Sequence, residues 1–214
     1  MTMKSSPSID PVVDKLLNYF SRRQDENPSQ IAHPDPLLNK LVRDQFDRFR
    51  EAAVLIPVMH SNATSESKIV LTVRSDQVSS HAGQISLPGG TRESVDRSII
   101  DTALRESEEE IGLNSSNVRV LGQLGKIYLA SGFEITPVVG LIESEPKLAP
   151  CPVEVDEIFL APSRQLLNKD AYSQVSMPVG QEFRTVLETY YGEFRIWGAT
   201  AAILYHLAKQ LNNC

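Results

Sequence analysis

The ten residues LRESEEEIGL, Leu104 to Leu113, and the turn LPGG, Leu87 to Gly90, that comes before them decide how the rest of the chain is read. An α-helix advances about 100° per residue, so Glu106, Glu109 and Glu110, at i, i+3 and i+4, share one arc of its surface. Carboxylates aimed into one small volume repel, and some would take up protons unless a countercharge is supplied. A hard divalent cation supplies it, and Mg²⁺ or Mn²⁺ has the matching preference for carboxylate, water and phosphate oxygens. Ile100, Ala103, Leu104, Ser107 and Ile111 form a second, mostly apolar stripe that is expected to face the core. Glu108, roughly opposite Glu106 and Glu110, is expected in solvent. Arg105 flanks the acidic arc, Gly112 is placed to end the helix, and Gly89 and Gly90 allow a side-chain-free turn before it.

A Glu-rich helix alone reads as a solvated face. The order Pro-Gly-Gly, an acidic residue, then Arg-Glu-x-x-Glu-Glu-x-Gly-apolar says more, and it resembles the Nudix box. That family's pattern is Gly, five residues, Glu, seven residues, then Arg-Glu-apolar-x-Glu-Glu-x-Gly-apolar. Counting back from Arg105 puts the family's first Glu at Arg97, so one extra residue sits in the loop, with Asp96 or Glu93 as the acidic substitute; Ser107 stands where the pattern is apolar. The resemblance implies an α/β fold, the Nudix α/β/α sandwich with a mixed β-sheet. It further implies hydrolysis of a pyrophosphate bond in a nucleoside diphosphate linked to another moiety. Glu106, Glu109, Glu110 and the Gly90 carbonyl would hold Mg²⁺ or Mn²⁺. Glu106 or Glu109 would accept the proton of the attacking water, and Arg105 would orient a box carboxylate.

The segment Val70 to Gly90 is similar to a second signature, that of the coenzyme A pyrophosphatases: Leu71, Thr72, Arg74, Ser75, Gly83, Pro88, Gly89 and Gly90 match it without a gap. His81-Ala82-Gly83-Gln84, Thr136-Pro137-Val138-Val139-Gly140 and Trp197-Gly198 extend the likeness to the NudL-like branch, in which the extra residue before the box is itself a feature. Two positions depart: Ser79 stands where the signature has Arg, and Leu87 where it has Phe. A hydroxyl cannot supply the bidentate phosphate contact of a guanidinium. The branch implies coenzyme A as substrate, split to phosphopantetheine and 3′,5′-ADP. The alternatives are a nucleotide sugar, ADP-ribose, a dinucleoside polyphosphate, a damaged nucleoside triphosphate, or a nucleotide-sensing module without catalysis. Arg74, Gly83, Gly89 and Arg92 are the implied substrate-binding residues. Glu154 is either a further metal ligand or base, or a surface carboxylate.

Composition bounds the rest. With 214 residues, 41% hydrophobic and 22% charged, the chain can bury a sizeable core. A net charge of −6 argues against a nucleic-acid binder, which would show a basic patch. Cys151 and Cys214 form neither a disulfide framework nor a metal cluster. No signal-peptide core or membrane-length apolar run occurs, so the cytoplasm is the expected compartment, with a small-molecule nucleotide as partner and a monomer or homodimer as assembly.

Residues 1–50 read as a helical extension packed on a domain at 51–214. Val12, Val13, Leu16, Leu17 and Phe20 recur at helical spacing, and a second helical piece is expected over Pro36 to Phe49. Ala52 to His60 and Lys68 to Arg74 are expected to pair as a hairpin. Strands are further expected at Val118 to Tyr128, Glu134 to Glu143 and Glu157 to Ala161. Two more are expected between Glu182 and Ile196, and a final helix from Gly198 to Leu211.

Overall fold

Side-chain alternation along the central strands sets the layers of this fold. The computed structural model describes residues 10–23, 28–45, 48–60, 66–76, 83–179 and 182–212. Two helices, α1 (Pro11–Ser21) and α2 (Pro36–Gln45), precede the long strands β1 (Arg50–Met59) and β2 (Lys68–Arg74). Two short strands, β3 (Ile85–Ser86) and β4 (Gly89–Thr91), lead into α3 (Ile99–Ile111). There follow β5 (Arg119–Gln123), β6 (Ile127–Tyr128), β7 (Phe133–Ile142), β8 (Val155–Pro162) and α4 (Ser163–Leu166). The described chain closes with β9 (Ser173–Val179), β10 (Glu182–Tyr191), β11 (Phe194–Trp197) and α5 (Gly198–Asn212).

Strands β1 to β8 form one mixed sheet in which β1 and β7 run parallel and the other neighbours are antiparallel; β9, β10 and β11 form a second, antiparallel sheet. Successive side chains of a strand point to opposite faces. Accordingly Ala53 and Leu55 of β1, Val70 of β2 and Val138 of β7 pack under α3 with Ala103 and Ile111. On the other face, Ile56, Ile69, Leu71 and Val139 join Leu16 and Phe20 of α1 and Leu204 and Leu207 of α5. The architecture is thus a mixed sheet flanked by helices. No helix among the described residues is long and apolar enough to cross a membrane.

The expected β1–β2 hairpin is only partly present. The two strands pair at Val58↔Ile69 and Met59↔Lys68. Farther along, β4 takes the place beside β1 (Ala52↔Thr91, Ala53↔Gly90, Val54↔Gly89) while β3 sits beside β2. That insertion sets the diglycine inside the sheet. The strand expected over Val118 to Tyr128 is broken into β5 and β6 where Gly125 passes the backbone of Ser29: a Cβ there would lie 1.8 Å from the Ser29 carbonyl oxygen. Strand β9 was not among the expected strands. Its Val175 and Met177 are half-buried and alternate with the exposed Gln174 and Ser176, a period of two that the flanking Pro178 obscures, and its backbone pairs with β10 from Ser173 to Val179. Asp10 caps α1 by accepting from Val12 N–H at 2.6 Å and also accepts the buried Ser67 N–H at the start of β2, which ties this helix to the sheet.

Candidate active site

Helix α3 is bounded on both sides. Ser98 Oγ accepts the Asp101 N–H at 3.1 Å, and Gly112, in the left-handed region at φ 67°, donates back to Glu108. Between these caps the acidic arc grades from core to solvent. Glu110 is 3% exposed as a residue. The Glu106 side chain is 14% exposed and that of Glu109 58%. Glu108 is exposed and accepts from Asn114 Nδ2 at 2.9 Å. Ser107 is fully buried in the expected core stripe, and its hydroxyl donates to the Ala103 carbonyl at 2.7 Å, so a polar residue is tolerated where the box pattern is apolar.

Arg105 is the hub of the exposed half. Its guanidinium donates to Asp96 Oδ1 at 2.9 Å and Oδ2 at 3.1 Å, to Glu106 Oε1 at 3.0 Å, to Glu109 Oε2 at 2.9 Å and to the Thr91 carbonyl at 3.0 Å. Of the two candidates for the loop's acidic residue, Asp96 is the one in this fork. Glu93 contributes its backbone N–H to Asp96 at 2.8 Å, and Thr102 Oγ1 donates to the same carboxylate at 3.0 Å. The Arg105 hydrogen bonds hold the Asp96 carboxyl down at about 2, and the same contacts push the guanidinium's pKa up.

Glu110 has the opposite environment. It accepts the Gly89 N–H at 3.1 Å and lies 3.9 Å from Arg74 Nη1. Burial outweighs both and pushes its carboxyl up to about 7, with Glu154 and Glu106 adding repulsion. Burial also raises Glu106, against the pull of Arg105, with Glu109 and Glu154 adding to the rise. Gly90 faces Glu106 so closely that a Cβ there would lie 2.5 Å from the Glu106 Cδ.

The other expected site residues fall around this centre. Arg74 stands at a register irregularity between β2 and β8 (Val73/Arg74), the kind of bulge that re-aims a side chain. Its carbonyl accepts from Gly83 N–H at 2.9 Å, and the next residue, Ser75, donates its N–H to the Glu154 carbonyl at 2.9 Å. Gly83, at φ 69°, therefore braces Arg74 through the backbone. Arg92 Nη1 pairs with Glu51 Oε2 at 2.7 Å. Ser79 and His81 lie outside the described residues. Sequence reasoning missed the backbone of the 149–151 loop, where Cys151 N–H donates to the Glu110 carbonyl at 2.9 Å and Ala149 N–H to that of Ile111 at 3.0 Å. Backbone donors leave no residue-type signal.

Among the described residues no three His, Cys, Asp or Glu side chains already converge as a closed ligand set, because Arg105 draws Glu106 and Glu109 to itself. The groups nonetheless suit a hard divalent cation. All the donors are oxygens, two of the carboxyls are held above their ordinary range by burial, and the backbone at Gly90 is bare of Cβ.

A profile of the NUDIX domain matches residues 49–177. The chain belongs to the Nudix family. This Nudix hydrolase is 40% identical over 77% of its length to an uncharacterized Nudix hydrolase NudL of Pectobacterium atrosepticum, 84% of which is covered. It is 39% identical to the protein of the same name from Yersinia pestis (strain Pestoides F), over 91% of this chain and 96% of that one. Among solved structures it is similar to a MutT/nudix family protein from Enterococcus faecalis, with a TM-score of 0.51 at 15% identity over 96% of this chain and 76% of that one. That last likeness is one of fold.

Proposed function

We propose that this Nudix hydrolase uses Mg²⁺ or Mn²⁺ to cleave the pyrophosphate bond of a nucleoside diphosphate linked to another moiety. Coenzyme A or a derivative, giving phosphopantetheine and 3′,5′-ADP, is the leading substrate. The observation that carries the reading is a pair of carboxylates at the diglycine, the half-buried Glu106 set against the Cβ-free backbone of Gly90 and the buried Glu110 on the Gly89 N–H. Glu106, Glu109, Glu110 and the Gly90 carbonyl would hold the cations, which when bound offset phosphate charge and lower the pKa of water.

The chain's own residues do the rest. Glu106 or Glu109 accepts the proton of the attacking water. Arg105 is a positioning residue: it bridges both carboxylates to Asp96 and so sets their direction. Arg74 and Arg92 are the cations offered to substrate phosphates, and the Gly83 and Gly89 backbone supports their approach. Glu154 is exposed, as a surface carboxylate would be, and it is near enough to Glu106 and Glu110 to repel both, which is the position a further ligand or base needs.

Ser79, in place of the signature arginine, favours a second reading in which another nucleotide (a nucleotide sugar, ADP-ribose, a dinucleoside polyphosphate or a damaged nucleoside triphosphate) is cleaved at the same centre. A panel of these compounds beside coenzyme A and its thioesters, scored by phosphate released after phosphatase coupling, separates the two. Preference for coenzyme A supports the first reading, and its absence with turnover of another compound establishes the second. No metal-dependent turnover of any of them defeats both.

A further inference from the structure

Beside the box lies a cavity of about 540 Å³ at the N-terminus of α3, lined, apart from Arg92 at its edge, by residues that no role above absorbs. Arg92, on its wall, is two residues beyond Gly90 along an extended backbone that continues its pairing with β1, Arg92 N–H donating to the Glu51 carbonyl at 2.9 Å. At about 3.4 Å per residue, the cavity begins about 7 Å from the backbone that faces Glu106. That is the reach of a group joined directly to a diphosphate held at the carboxylates.

Its chemistry is polar but balanced. Both cations on the wall are already paired: Arg92 with Glu51 at 2.7 Å, and Lys126 Nζ with Glu134 Oε1 at 2.6 Å. A phosphate entering here would meet two carboxylates along with the two cations. A neutral group rich in donors and acceptors would instead find complementary partners in the Gln30 and Gln123 amides and the ion-pair edges. Tyr128, packed edge-on by Phe49 at 4.9 Å between centroids, adds a flat aromatic side.

The outer wall comes from the N-terminal segment. Pro28 and Gln30 line the cavity, Ile31 N–H donates to the Lys126 carbonyl at 2.9 Å, and Gly125 admits the Ser29 carbonyl where any side chain would collide. We propose that this cavity is the subsite for the nucleoside of the substrate, and that residues 28–31 are a specificity-determining part of it. The proposal rests on the diphosphate-hydrolase reading and fits the second of its two substrate readings, because the nucleoside of coenzyme A carries a 3′-phosphate and this cavity suits a neutral nucleoside.

The test uses the full chain and Gln30→Trp, an exposed position where a large side chain fills the cavity without entering the core. Binding of adenosine and of inorganic phosphate is measured by calorimetry, and KM and kcat are measured for whichever diphosphate the panel identifies. The expected result is that Gln30→Trp weakens adenosine and raises KM by about tenfold or more, as expected from the loss of a hydrogen-bonded group. It should leave kcat within about twofold and phosphate binding unchanged. Gln123→Ala should move adenosine binding and KM in the same direction. Adenosine binding and KM that ignore both substitutions, or a loss confined to phosphate, overturn the subsite. Gln30-dependent adenosine binding by an enzyme that hydrolyses no diphosphate would retire the hydrolytic reading and leave the subsite standing.

Discussion

The carboxylate of Glu106 occupies the space that a Cβ at residue 90 would need, 2.5 Å from its Cδ, whereas a Cβ at residue 89 would meet the Ala53 carbonyl oxygen at 2.2 Å and Val54 Cα at 2.6 Å. The two glycines therefore serve different ends. Gly90→Ala displaces the end of a flexible side chain and should cut turnover by about 100-fold, the cost of misplacing a reacting group by an ångström, while thermal stability holds. Gly89→Ala drives into backbone and should cost about 3 kcal/mol or more of folding stability. Denaturant melts and kcat measured on both variants check this, and equal stability losses would show that Gly90 is merely structural.

Glu110 makes metal-free stability depend on pH. Its folded pKa is raised from 4.5 to about 7, so the stability it contributes is fully present below about 4.5 and is lost as pH rises through about 7. The loss is on the order of 3 kcal/mol. Asp96 runs the other way: held down at about 2 by Arg105, it stabilises above 3.8 and loses that contribution as pH falls through about 2. The windows do not overlap. Melting in a chelating buffer between pH 4 and 8 should show a decline that Glu110→Gln flattens and that Mg²⁺ or Mn²⁺ reverses at the alkaline end. A decline that persists in the variant counts against this assignment.

Arg105 joins Asp96, Glu106, Glu109 and the Thr91 carbonyl through one planar group. A lysine keeps the charge but cannot span four acceptors. Arg105→Lys should lower stability by about 1–3 kcal/mol and turnover by about tenfold to 100-fold. Asp96→Asn should repeat part of both effects through the same fork. Kinetics and melts on the two variants suffice, and an unaltered kcat in Arg105→Lys would remove its positioning role.

Glu108 and Glu109 are adjacent carboxylates with different surroundings: Glu108 meets Asn114, and Glu109 meets Arg105. Glu109→Gln should reduce turnover by at least about 100-fold if it serves as base or ligand, and Glu108→Gln should change it less than about twofold. Mn²⁺ binding followed by electron paramagnetic resonance distinguishes a ligand from a base, since only loss of a ligand weakens binding.

Local order in the chain was enough to determine the helix Ile99–Ile111, its capping glycine, the acidic arc and the long apolar strands, because each depends on residues a few positions apart. The same spacing put Glu106, Glu109 and Glu110 on one arc without revealing that Glu110 is buried and Glu109 exposed. That difference comes from β4, β2 and the 149–151 loop closing over one edge of the helix. Tertiary packing alone decided that β4 displaces β2 beside β1, that Asp96 and not Glu93 enters the Arg105 fork, and that Pro28 and Gln30 wall a cavity beside Arg92. The physical reason is common to all three: each depends on backbone hydrogen bonds or charge pairs between distant segments, and such contacts leave no period in the residues that make them.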